Sequence, residues 1–177
     1  MPMEHKAYLF DYIGFAQELK PILEQALATR SAEKLVQFID THLGSLRHPD
    51  EGTTLDDHWR SLIEQGNPDE YGDFALTRYY VSDNIGLGYE WEEVQDIISA
   101  ARPDLERSPL LGETIGPTNH LFDPGKLGSY FQPPNVVRAN LVLVREIAEE
   151  WGEDLLASTM TMLETGDGKG VGLYVTF

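Results

Sequence analysis

Cysteine is absent from this chain of 177 residues, and basic side chains are scarce, with 13 lysines and arginines against 30 acidic residues. The lack of cysteine excludes a disulfide framework, a thiolate metal site and a cysteine nucleophile. The formal charge of -17 repels phosphate backbones and anionic headgroups, so neither a nucleic acid nor a membrane is expected as a partner. A basic protein is favoured as the partner instead.

Long apolar runs are also missing. The longest contain four residues, at 7–10 and 141–144, far short of the about 20 that a membrane span needs. The N-terminus shows no signal-peptide pattern, which together with the lack of cysteine predicts a cytoplasmic protein. Apolar residues make up 41% of the chain, which is typical of a folded protein, and the length predicts a single globular domain over 1–177.

Helical periodicity dominates the chain and predicts an α+β fold, mainly helical, with about six to seven helices. Six helices are expected over residues 19–30, 32–43, 55–65, 73–81, 90–101 and 135–151. Residues 5–10 and 171–177 are predicted strands, which form a small sheet from the N- and C-terminal ends of the chain. Residues 153–163 fit a seventh helix, but the alternation in 158–162 also permits a strand that turns at 166–170.

Proline and glycine are concentrated in one segment. Residues 103–134 contain six of the ten prolines and no regular periodicity. Loops of this length in compact domains are functional or disordered. We predict an ordered loop, because it carries apolar side chains that can pin it to the body of the protein: Leu121, Phe122, Leu127, Tyr130 and Phe131.

The excess of acidic residues is concentrated in one part of the chain. Residues 48–101 hold 13 acidic side chains against only Arg60 and Arg78, and six of the 18 aromatic residues fall within 71–91. Tyr and Trp are preferred anchors of protein interfaces, and an acidic surround steers a basic partner towards them. We therefore predict a partner-binding surface composed of Asp69, Glu70, Tyr71, Asp73, Tyr79, Tyr80, Asp83, Tyr89, Trp91, Glu92 and Glu93. The alternative is that the aromatic rings belong to the core and the acids to a solvated face.

The first functional hypothesis is a non-catalytic acidic module that binds a basic partner protein. An immunity-type or inhibitor-type protein would be one example, by charge and size alone. No metal and no cofactor are predicted for this module, and the sequence is compatible with a homo-oligomer.

The second hypothesis is a small hydrolase or metal-dependent enzyme with its site in the 103–134 loop. His120 would act as general base or metal ligand, Asp123 would orient it or share the metal, and Lys126 would contact an anion. The alternative is a structural loop in which His120 and Asp123 satisfy backbone groups. Because the loop is nearly neutral and the acidic stretch precedes it, we expect the two candidate sites to be separate in space.

Overall fold

A computed structural model describes residues 2–177 of the chain. This part forms seven α-helices and three β-strands, so the predicted α+β class is confirmed. The helices are α1 (Tyr12–Glu18), α2 (Lys20–Thr29), α3 (Glu33–His42), α4 (Pro68–Leu76), α5 (Trp91–Ala101), α6 (Pro134–Trp151) and α7 (Ala157–Lys169). The strands are β1 (Lys6–Phe10), β2 (Ser129–Gln132) and β3 (Gly172–Thr176).

The chain divides into two compact units. The sheet unit contains the described part of Met1–Tyr12 together with Val81–Thr114 and Leu127–Phe177. The helical unit contains Ile13–Tyr80 and Ile115–Lys126. The proline-rich 103–134 segment is therefore shared between them, with its middle part in the helical unit.

The sheet of the sheet unit has the C-terminal strand β3 at its centre. β1 and β2 flank it, and both pairings are antiparallel. Tyr174 lies opposite Tyr8 on one side and opposite Phe131 on the other. The predicted pairing of the two terminal strands is confirmed. β2 was not predicted, because four residues between a glycine and two prolines are too few to show a period of two.

Helix α6 carries the core of the sheet unit. It contacts α7 and β3, and its apolar face is buried through Val137, Leu141, Val144, Ile147 and Ala148. Trp151, the last residue of the helix, is 46% exposed.

Helix α7 resolves the choice between helix and strand for the segment before β3. It runs through Gly166 and Gly168 to Lys169, and Gly170 ends it with a φ of 66°. The predicted turn at 166–170 is therefore wrong. A Cβ on Gly166 would lie 3.3 Å from Cγ1 of Val137, so the glycine allows α7 to approach α6 closely.

Helices α2, α3 and α4 contact one another and form the body of the helical unit. Gly72 on α4 lies close to α2 and to the 115–126 segment. A Cβ there would stand 2.8 Å from a side-chain carbon of both Leu23 and Phe122. This absence of a side chain lets α2 and the 115–126 segment pack against α4.

Two predicted helices of the helical unit are wrong in extent. The helix expected over 55–65 is only a 3₁₀ turn at Trp59–Leu62, in which Trp59 is buried while Leu62 is 38% exposed. Only Leu55 and Trp59 are buried in this segment, which is too little buried surface to stabilise a longer helix. The helix expected over 73–81 begins earlier, at Pro68, and continues beyond Leu76 only as a 3₁₀ turn, Thr77–Tyr79. Helix α1 was not predicted.

No helix among residues 2–177 combines the length and apolar content that a membrane span requires.

Candidate functional site: an acidic cleft

An open cleft of about 390 Å³ lies in the helical unit. We call it the acidic cleft, because among the side chains that line it are seven carboxylates and one lysine: Asp50, Glu51, Glu64, Asp69, Glu70, Asp73, Asp123 and Lys126. The carboxylates come from the 48–51 turn, from the chain before α4, from α4 itself and from the 115–126 segment. This concentration of negative charge favours cationic ligands.

The first turn of α4 positions the centre of the cleft. Asn67 is the N-cap, and its side-chain oxygen accepts a hydrogen bond of 2.9 Å from the backbone N–H of Glu70. Pro68 occupies the first turn, where its missing N–H costs nothing. Asp69 and Glu70 follow at the positive end of the helix dipole. The sequence Asn-Pro-Asp-Glu is a helix-start signal that could have located α4.

Glu70 is held by backbone amides. Its carboxylate accepts hydrogen bonds from the N–H groups of Glu64, Gln65 and Gly66 at 3.0, 2.8 and 2.8 Å. Burial by itself would raise the pKa of Glu70, but the three amides favour the ionised form and hold the pKa below its ordinary value. Glu70 therefore fixes the chain that precedes α4 and is already fully engaged.

Asp69 links α4 to the 115–126 segment. Its Oδ1 accepts a hydrogen bond of 2.8 Å from the backbone N–H of Asp123, and its Oδ2 lies 3.3 Å from Nε2 of His120. Both side chains are largely buried, with 17% of Asp69 and 23% of His120 exposed. The carboxylate that faces His120 thus comes from the acidic stretch.

Asp73 lies one helical turn beyond Asp69 and lines the acidic cleft. Its carboxyl group is densely surrounded by protein atoms, yet among residues 2–177 no hydrogen bond or ion pair to it is found. Burial raises the pKa of Asp73 to about 7, and the negative charges of Asp50 and Glu70 contribute to the rise. Strongly shifted carboxyl groups in clefts are typical of functional sites.

The turn at 48–53 forms another wall of the cleft. Nδ1 of His48 accepts hydrogen bonds of 3.1 Å from the backbone N–H groups of both Asp50 and Glu51. The neutral imidazole therefore carries its proton on Nε2. The ring of His48 stands edge-on to Phe74, with 5.2 Å between centroids. The turn thus holds two exposed carboxylates beside a pair of rings.

The structure unites residues that the sequence assigned to two hypotheses. Asp69, Glu70 and Asp73 belong to the predicted partner surface, whereas Asp123 and Lys126 belong to the predicted enzyme site, yet all five line the acidic cleft. The expected separation of the two sites in space is wrong, because the middle of the 103–134 segment belongs to the helical unit. His120 stands beside the cleft through its contact with Asp69.

The tyrosines of the predicted partner surface that lie in the helical unit take part in packing. Tyr71 is half-buried, with its ring edge-on to Trp59 at 5.9 Å. Tyr79 is only 3% exposed and packs edge-on against Phe15. Tyr80 is half-buried beneath the guanidinium of Arg47. Tyr79 in particular has little ring surface left for a partner.

The remaining residues of the predicted partner surface belong to the sheet unit. Asp83, Glu92 and Glu93 are exposed, and Tyr89 is 62% exposed. Trp91 is half-buried, and its Nε1 donates a hydrogen bond of 2.8 Å to the carbonyl of Met3. The predicted surface is therefore divided between the two units, and only its part in the helical unit lines the acidic cleft.

Comparison with known proteins returned no match to any protein-family model, any curated protein or any solved structure. Among residues 2–177, no three His, Asp or Glu side chains are arranged so that they could hold a metal ion.

We expect Asn67→Ala to lower the free energy of unfolding by about 1 kcal/mol, because it removes the N-cap of α4. The exposed Asn119 provides the matched control, and Asn119→Ala should leave stability within about 0.5 kcal/mol of the wild type. Urea unfolding followed by circular dichroism measures both. Equal stability of the two variants would show that the cap does not hold the cleft-forming turn.

Proposed function

We propose that the protein is a non-catalytic binding module that holds a basic partner protein at the acidic cleft. The observation that supports this proposal is the collection of seven carboxylates and one lysine in a single open cleft, with the densely surrounded Asp73 among them. An immunity-type or inhibitor-type role remains one form that such a module can take. We place it in the cytoplasm, in agreement with the absence of cysteine.

Electrostatics explain why a cationic partner suits this site. A positive group in the cleft would offset the repulsion among carboxylates that the fold holds close together. The net charge of -17 would draw a basic partner from a distance and speed its encounter. The same charge disfavours nucleic acids and anionic membranes.

A second candidate function is a small hydrolase that uses the same cleft. The specific observation in its favour is Asp73, since a pKa of about 7 suits a general acid or base at neutral pH. The contact between His120 and Asp69 adds an imidazole beside it. In this version the carboxylate next to His120 is Asp69, where the sequence suggested Asp123. Turnover of ester, glycoside or phosphate substrates that is abolished in Asp73→Asn would favour it over the binding module.

The test of the binding function uses a synthetic peptide of alternating arginine, lysine and glycine and isothermal titration calorimetry. The double variant Asp50→Asn/Glu51→Gln removes two exposed charges from the cleft. We expect it to weaken peptide binding about tenfold at low ionic strength, since close opposite charges dominate the affinity. Binding by the wild type should weaken steeply between about 50 and about 300 mM salt.

The matched control is Glu92→Gln/Glu93→Gln, which removes the same charge from exposed positions on α5 in the sheet unit. We expect binding by this variant to stay within about twofold of the wild type. If both double variants lost the same affinity, attraction to the overall charge would explain the binding, and the acidic cleft would not be the site.

A further inference from the structure

We propose that the acidic cleft is an arginine-binding site, in which Asp73 and Asp50 receive the guanidinium group of a side chain of the partner. This inference rests on the proposed function and specifies the group that the cleft recognises. The two carboxylates belong to different walls of the cleft, Asp50 to the 48–53 turn and Asp73 to α4. A ligand between them would connect the walls.

Some carboxylates of the cleft already accept hydrogen bonds from the protein, whereas others are free to bind a ligand. Glu70 accepts three backbone hydrogen bonds, and Asp69 accepts one from Asp123 while it faces His120. These two shape the cleft. Asp73 is the densely surrounded group without a protein partner among residues 2–177. Asp73 is half-buried and lines the open cleft, so its carboxyl group is accessible to a ligand and has no competing partner there.

The chemistry of the two cations favours a guanidinium over an ammonium group. A guanidinium presents five N–H donors in a plane and can pair with carboxylates on two sides, whereas an ammonium is a compact and strongly hydrated charge. Weaker hydration makes the guanidinium easier to place beside a densely surrounded carboxyl group. The half-buried ring of His48, which lines the same cleft and packs edge-on against the buried Phe74, adds an aromatic surface on which a guanidinium can stack.

Binding should release a proton from Asp73. A neutral carboxyl group gives its proton to solvent, and the resulting carboxylate pairs with the guanidinium, which stays charged throughout. The charged and titratable groups around Asp73 come from every wall of the cleft: His48, Asp50, Glu51, Glu64, Asp69, Glu70, Asp123 and Lys126. The proton is therefore followed on the carboxyl group of Asp73 itself.

Three capped tripeptides test the assignment: acetyl-Gly-Arg-Gly-amide, the same peptide with lysine, and the same peptide with neutral citrulline. Isotope-labelled protein is titrated and followed by NMR, with the amide signals of 48–51 and 69–74 as reporters of the cleft. We expect the arginine peptide to bind about tenfold more tightly than the lysine peptide, and the citrulline peptide not to bind. At about pH 7 the carboxyl carbon signal of Asp73 should move to its ionised position as the arginine peptide is added.

Asp73→Asn should weaken the arginine peptide at least about tenfold, while Asp96→Asn, an exposed charge on α5, should have no effect. Equal affinity for arginine and lysine peptides would overturn the guanidinium assignment and leave the basic-partner function standing. An Asp73 carboxyl signal that does not respond to bound arginine would overturn the placement at Asp73. If no tripeptide shifted the cleft signals and the longer basic peptide bound equally to the Asp50→Asn/Glu51→Gln variant, the proposed function would fail as well.

Discussion

Replacing Asp73 by asparagine is expected to raise the free energy of unfolding by about 2–3 kcal/mol at about pH 8. Burial, followed by the charges of Asp50 and Glu70, raises the pKa of Asp73 from 3.8 to about 7. Between these two values the folded protein holds the proton more tightly than the unfolded chain, so stability falls as the pH rises through this window. Above about pH 7 the folded state carries the full penalty of an ionised Asp73, and asparagine removes it.

The decisive measurement for Asp73 is how the increase in the free energy of unfolding depends on pH. Urea unfolding at several pH values should show a difference between Asp73→Asn and wild type that shrinks towards zero near pH 4, where the aspartate is protonated in the folded state. Asp96→Asn on the exposed face of α5 is the control, and it should change stability by less than about 0.5 kcal/mol at every pH. A gain that did not vary with pH would mean that the charge of Asp73 is not what strains the fold.

Replacing Glu70 by glutamine is expected to have the opposite effect and lower the free energy of unfolding by about 2 kcal/mol at neutral pH, after allowance for solvent screening. The carboxylate of Glu70 accepts three backbone N–H groups, and a neutral amide oxygen is a weaker acceptor with fewer lone pairs. Because the pKa of Glu70 is lowered in the folded state, its contribution is complete above about pH 4.5 and is lost as the pH falls through the folded-state value.

Thermal unfolding at neutral and acidic pH measures the effect of Glu70→Gln. The difference from wild type should be largest at about pH 7 and should diminish at about pH 3. Glu93→Gln, at an exposed position in the first turn of α5, is the control for loss of a carboxylate near a helix start. It should cost only about 0.5 kcal/mol. If Glu70→Gln cost no more than this control, the three amides would not be what stabilises the turn.

The substitutions at Glu70 and Asp73 are expected to change the free energy of unfolding in opposite directions, which reflects how the cleft is built. The two carboxyl groups lie three residues apart on one helix and line one cleft. Backbone amides stabilise the charge of Glu70, whereas the charge of Asp73 has no donor among the described residues. A carboxyl group that lowers the stability of the fold, beside one that is fully hydrogen-bonded, is typical of a binding or catalytic site.

Much of the fold could be predicted from the sequence where the signal is local. The apolar face of α6 repeats at helical spacing over 18 residues, and the terminal strands were predicted within a residue or two. The errors lie where local signals compete with tertiary packing. The glycines near the end of α7 read as a turn, but one of them permits the close approach to α6. Similarly, the predicted helices leave out residues 66–72, although Asn67 caps α4 and Pro68 begins it.

The candidate site could be predicted only in part from the sequence. Counting residues located the excess of acid in 48–101 and placed Asp69, Glu70 and Asp73 on the predicted surface, and these three residues line the acidic cleft. Asp50 and Glu51 belong to the cleft but were absent from the predicted surface. Their only sequence signal was their charge, which they share with many other residues.

By itself, the sequence determined the fold class, the sign of the charge and the stretch in which the charge is concentrated, because composition and periodicity are local properties. Only the tertiary structure decided which acids meet. It brings the 48–51 turn, the start of α4 and part of a distant proline-rich segment around one cleft. It also decided that backbone amides stabilise the ionised form of Glu70 while Asp73 lacks a donor among residues 2–177. Contacts between residues far apart in the chain depend on packing, and no local pattern encodes them.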